Sequence, residues 1–185
     1  ISKYIGGGET VVLPESFQEK PVTTIGAEAF GGKENLKAVT IPDSITSIDD
    51  KAFDNCKNMS EIIIPSSVTT MGKNVFSWCT NVIIYCKSEE QPEGWDEEWN
   101  ADDRPCYWGY LDKDADENFK YIITTAGVII DKYIGSNTGI EVVIPSVYKE
   151  SPVTTINAEA FYSKGELEGV TIPDSIVEIG PGCFT

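Results

Sequence analysis

The seven residues VTIPDSI occur twice in this chain, at Val39 to Ile45 and again at Val170 to Ile176. Around them runs a period of 23 residues, which links Phe30, Phe53 and Phe76. It also links Ile25, Ile48 and Met71; Leu36, Met59 and Val82; Cys56 and Cys79; and Pro42 and Pro65. Ile156 and Ile179, and Phe161 and Phe184, keep the same step near the end. A fixed period of this length marks a stack of small structural units. One unit cannot bury its apolar face alone, but stacked copies share a continuous core.

The letters of the unit have physical meaning. VTIP and IIIP are short, β-rich and alternate their apolar residues inward, as a short strand does. The proline ends the strand, because it has no N–H for the ladder. The Asp or Ser that follows favours a turn. Ile48 and the Ala52-Phe53 pair then carry a second apolar set inward, with DDKAFDNC as a turn or one helical turn. The pattern predicts a mainly β chain with little helix, a solenoid of short parallel strands stacked along one face.

A longer duplication overlies the short one. PVTTIGAEAF at Pro21 to Phe30 returns as PVTTINAEAF at Pro152 to Phe161, and KYIG at Lys3 returns at Lys132. Between residues 11–53 and 142–184, 24 of 43 positions are identical. The chain therefore divides into a first block, 1–86, a Trp-rich acidic cap or linker that breaks the period, 87–118, and a second block, 119–185, with two stacks expected over roughly 1–110 and 111–185. Both termini fall within a block, which predicts a segment of a longer protein.

The signature IP-x-S-x-x-x-I-x-x-x-A-F-x-x-C resembles the BspA-type leucine-rich repeats of bacterial surface proteins. KYIG…VVIP…PVTTI…AEAF is similar to the block opening of secreted members from Gram-positive gut bacteria. The stretch IYCKSEEQPEGWDEEWN…YWG resembles the Trp-rich element that closes such blocks. Lys33 and Lys164 stand where the family usually has Cys, and Cys183 stands at an alanine position. The resemblance implies a leucine-rich repeat solenoid that is extracellular or on the cell surface. It also implies a non-enzymatic role in adhesion or protein binding, with an extracellular or host protein as partner.

Net charge is −16 with no histidine, which disfavours phosphate backbones and anionic lipid surfaces as partners. No apolar run approaches the roughly 20 residues a membrane-spanning helix needs. Without histidine the commonest general base is missing. GGGE at Gly6 to Glu9 lacks the Lys-Ser pair of a phosphate loop. Neither a catalytic site, a metal nor a cofactor is expected. The five cysteines match no zinc spacing. Cys56 and Cys79 read as buried repeat positions; Cys86 and Cys106, which flank the Trp-rich loop, leave bonded and free states both open.

Three places are candidates for function. The first is the outward side chain of each strand, Val12, Thr40, Ile63, Val143 and Thr171, all uncharged and β-branched; they form a binding stripe, or else simply reflect the preference of β-branched residues for strands, which is the plainer reading. The second is residues 87–118, with 12 acidic and 3 basic residues and the aromatic side chains of Trp95, Trp99 and Trp108. These rings would stack on a sugar, or else cap the open end of the stack, since a solenoid needs polar-faced ends. The third, DKDADEN at Asp112 to Asn118, starts like a calcium loop but has Glu117 and Ile123 where an EF-hand needs Gly and Glu. An acidic turn is the plainer reading. The functional readings are thus a protein-binding sheet face, a carbohydrate site on the Trp-rich loop, or a spacer that displays another domain.

Overall fold

The computed structural model describes residues 1–136 and 139–185, and these contain strands and turns but no helix. They form two compact units, Ile1–Gly109 and Tyr110–Thr185.

The first unit is a coil whose turns hydrogen-bond to the next along parallel ladders. On one flank Thr10–Val12 pairs with Ala38–Thr40, and Glu61–Ile64 pairs with Ile83–Cys86, which pairs in turn with Cys106–Tyr107. On a second flank Thr24–Ile25, Ser47–Ile48 and Thr70–Met71 lie side by side. Between the flanks the chain turns where the sequence puts IP-x-S. The Ile45 N–H donates to the Pro42 carbonyl and the Val68 N–H to that of Pro65, each at 3.1 Å. The AF segments are turns rather than helices. In each turn two residues adopt left-handed backbone: Glu28, Lys51 and Asn74 at the first position, and Gly32, Asn55 and Trp78 at the second.

The third side of the coil holds a column of rings. Tyr4, Phe30, Phe53 and Phe76 stack at centroid distances of 5.1, 5.1 and 5.6 Å. Burying each phenyl ring contributes about 1.5–3 kcal/mol, and stacking adds about 0.5–1.5 kcal/mol per pair. The repeat cysteines serve this column. Cys56 donates its thiol hydrogen to the Phe30 carbonyl at 3.2 Å, and Cys79 does the same to that of Phe53 at 3.0 Å. Lys33, one repeat earlier, reaches back with its ammonium instead, to the Gly6 carbonyl at 3.3 Å and over the Tyr4 ring. A cation thus does there what a thiol does in the next two turns.

The second unit starts differently. Tyr110–Ala115, Phe119–Thr124 and Gly127–Tyr133 form an antiparallel meander, and Gly127–Tyr133 then pairs in parallel with Ser151–Ile156. From there the coil resumes, with Glu141–Val143 beside Gly169–Thr171 and Ile156 beside Ile179. Its ring column is Tyr133, Phe161 and Phe184, with Phe119 packed against Tyr133 at 5.4 Å. Lys164 repeats the behaviour of Lys33, over the Tyr133 ring and onto the Gly135 carbonyl. Cys183 is buried, and its carbonyl accepts from the Phe161 N–H as the Ala52 carbonyl accepts from that of Phe30.

Two expectations on organisation change. Residues 87–118 are not one interruption: 87–109 complete the first unit, and 110–118 open the second, where Tyr110–Ala115 is a strand in register with Lys120 to Thr124. The opening of the second block is antiparallel rather than a parallel repeat. TTAG at Thr124 to Gly127 reverses the chain after one strand, and the Gly127 backbone at φ 140° is one that other residues rarely take.

Candidate functional site

The strands set the direction of every side chain on the sheet flank. In the Ala38–Thr40 strand and the Pro42 turn after it, Val39 and Ile41 are buried and Thr40 is exposed between them. Glu61–Ile64 repeats this with Ile62 and Ile64 inward and Ile63 half-buried outward. Val12 lies beside Thr40 in the ladder and is 72% exposed. These residues form a short β-branched stripe. Beneath it, between the Ala38–Thr40 and Glu61–Ile64 strands, is a groove of about 240 Å³ lined by Val39, Thr40, Ile41, Ile62, Ile63 and Pro65. Glu61 and Lys87 also line it. In the second unit Val143 and Thr171 are likewise ladder partners and both exposed. The five stripe residues thus fall into two groups, three in one unit and two in the other.

The stripe contains members that a 23-residue step does not reach. Ile63 pairs with Tyr85, not Cys86, and Tyr85 pairs with Tyr107. The signal is a missing residue. Met59 and Ile62 are three apart, whereas Val82 and Ile84, which occupy the same inward columns, are two apart. This deletion turns Tyr85 outward and Cys86 inward. Tyr85 and Tyr107 then stack at 5.6 Å and 19°, and Tyr85 is buried beneath its partner.

The Trp-rich loop is a last, distorted turn of the coil. Trp95 bridges to Met71 and so continues the column of Ile25, Ile48 and Met71. Trp99 continues the ring column beyond Phe76, and its carbonyl accepts the Val75 N–H at 3.0 Å. Their indole N–H groups are satisfied by the Val68 carbonyl and by Gln91 Oε1. Trp95 and Trp99 are only 4% and 5% exposed, and Trp108 packs against both. A sugar-stacking platform needs an open ring face, and these two rings present none. The exposed indole is a different one, Trp78, at 69%.

The carboxylates are held by neighbours. Asp102 accepts from the Trp78 N–H and from Arg104, both at 2.8 Å, and these bonds hold its carboxyl below the usual range. Asp114 lies beside Lys149 and accepts from the Tyr148 hydroxyl, while Asp116 accepts from the N–H groups of Asn118 and Phe119 and from the Tyr121 hydroxyl. Tyr121 and Tyr148 stack at 3.8 Å between them. The Asp112 to Asn118 segment is thus a strand and a tight turn whose acids pin the meander to the Val147–Tyr148 hairpin. Among the described residues no three His, Cys, Asp or Glu side chains come together in a way that could hold a metal ion.

The BspA type leucine rich repeat region model matches six times, over residues 9–90 and 128–185, and the chain belongs to this family. No curated protein matches the chain. Among solved structures it is similar to a leucine rich cell surface protein of Faecalibacterium prausnitzii, at 28% identity and a TM-score of 0.39, over 95% of this chain and 38% of that one. It is also similar to a leucine rich repeat protein of T. pallidum, at 19% identity and a TM-score of 0.45, over 99% of this chain and 80% of that one. The pneumococcal vaccine antigen PcpA is a further match, at 15% identity and a TM-score of 0.35, over 99% of this chain and 60% of that one. The chain spans 38% of the length of the Faecalibacterium protein.

Proposed function

We propose that this chain is a non-enzymatic interaction module of a bacterial surface or secreted protein, and that it binds a protein through the outward face of its strands. The observation that carries the reading is the stripe of Val12, Thr40 and Ile63 over an apolar groove. Each of these short strands is held by a parallel ladder to one neighbour, which keeps the face in a fixed shape, so little order is lost on binding. A groove of this size suits one or two apolar side chains of a partner, and the net charge of −16 favours a neutral or basic partner. Family membership and the cell-surface neighbour support a location outside the cell. The absence of histidine and the occupied state of the Asp102, Asp114 and Asp116 carboxylates favour binding over catalysis.

The test is a binding screen of the folded chain against extracellular-matrix proteins and a glycan array in parallel. A protein hit that is lost in Thr40→Lys and Ile63→Lys, both still folded by circular dichroism, supports the reading. A glycan hit with no protein hit overturns it in favour of a carbohydrate site. Silence on both overturns it in favour of a spacer.

A further inference from the structure

The structure assigns a second role to the end of the first unit: we infer that Cys86 and Cys106 are a disulfide-forming pair that locks the aromatic last turn in an oxidising medium. Cys86 ends the Ile83–Cys86 strand and Cys106 opens the neighbouring Cys106–Tyr107 strand. Cys106 pairs with Ile84, whose side chain points inward as that of Cys86 does, so both thiols lie on one face of the ladder. Their sulfurs are 3.6 Å apart as free thiols. That is too far for a bond of about 2.05 Å, yet within the reach of small side-chain rotations.

The other cysteines are placed otherwise. Cys56 and Cys79 are fully buried and each donates to a backbone carbonyl. Cys183 is in the other unit and buried. Cys106 alone among the five is partly exposed, because its strand is the last of its ladder. It is therefore the sulfur an outside oxidant meets first. Cys86 is fully buried, and its hydrogen bond with Cys106 together with burial keeps it a thiol until Cys106 has reacted.

The chemistry is thiol–disulfide exchange with a small external disulfide such as oxidised glutathione. The Cys106 thiolate attacks one glutathione sulfur, forms a mixed disulfide and releases one glutathione. Cys86 then gives up its proton and attacks the Cys106 sulfur, which releases the second glutathione. The two protons and two electrons of the protein thiols end on two reduced glutathiones. The closed loop spans residues 86–106 and contains Trp95 and Trp99, which seal the stack. A loop of that length restrains opening of the last turn by on the order of 100-fold. Oxidising conditions of the kind that permit this are those outside a cell.

The test equilibrates the protein in glutathione buffers from fully reduced to fully oxidised, traps free thiols by alkylation and reads the intact mass and a non-reducing peptide map. The expected result is loss of two of the five alkylated thiols and a linkage between the peptides carrying Cys86 and Cys106. Cys106→Ser, a mild change at a partly exposed position, is expected to keep all four of its thiols and the fold. Proteolysis at Glu97 and Glu98 within the loop should slow in the oxidised wild type and not in Cys106→Ser. Full alkylation of all five thiols in the oxidised buffer overturns the proposal, as does a linkage through Cys56 or Cys79. A disulfide that leaves proteolysis unchanged overturns the lock.

Discussion

The indole of Trp99 meets the ring of Phe76 edge-on, at 6.2 Å and 82°, whereas every ring before it in the column is stacked. Trp95 in turn meets Trp99 at 72°. Edge-on contact uses up the face on which another ring would have been laid, so the tryptophans close the column. Trp99→Ala exposes Phe76 and is expected to cost the first unit about 3–5 kcal/mol. A urea titration followed by far-ultraviolet circular dichroism checks this. A stability loss under about 1 kcal/mol would contradict a sealing role.

Phe53 and Phe184 occupy the same letter of the repeat but not the same environment. Phe53 has a ring on each side and is fully buried; Phe184 has Phe161 on one side and is 48% exposed. Phe53→Ala should cost about 3–5 kcal/mol and Phe184→Ala no more than about half of that. Equal losses in paired denaturation curves would mean that position in the column does not matter.

Trp78 carries a backbone that its counterparts take with Gly32 and Asn55. All three have positive φ, at 60°, 71° and 58°. Left-handed backbone costs a bulky residue roughly 1 kcal/mol that glycine or asparagine largely avoids. Trp78→Asn is expected to stabilise the protein by about 0.5–1 kcal/mol. It should also remove the larger part of the acrylamide-quenchable tryptophan fluorescence, since Trp78 is 69% exposed whereas Trp95 and Trp99 are buried and Trp108 is only partly exposed.

Asp102 links that same turn to the last one. The Trp78 N–H and Arg104 lower its pKa, so its contribution is present above the unfolded value near 4 and is lost as pH falls through the lower, folded value. Asp102→Asn should lower the urea midpoint at pH 7, and the gap from wild type should close as pH falls through the folded value. A gap that persists unchanged in acid would show that the carboxylate's charge is not what matters.

Much of the coil was legible from letters alone, because a 23-residue step fixes which side chains share a column and those columns are the core. Phe30, Phe53 and Phe76, or Ile25, Ile48 and Met71, read directly as such columns. What escaped was whatever departs from the step. The single deletion after Val82 moves Tyr85 into the outward stripe, where periodic counting puts Cys86. Trp95 and Trp99 continue two columns, but at four residues apart rather than the five between Met71 and Phe76, so the loop reads as an interruption. The antiparallel start of the second unit does not follow the 23-residue step, so periodicity does not reveal it. The 3.6 Å approach of Cys86 and Cys106 follows from strand register, which spacing does not reveal.

The residue missing between Val82 and Ile84 behaves as punctuation. In a coil of this kind whole turns are interchangeable and are readily gained or lost by recombination, because each new turn finds the same neighbours as the old. A turn that is one residue short breaks that equivalence, because its outward position falls on Tyr85, one residue before the 23-residue step would place it. Lineages that lengthen or shorten this protein should therefore do so among the turns before Val82, and should carry the short turn and its tryptophans unchanged at the end of the run.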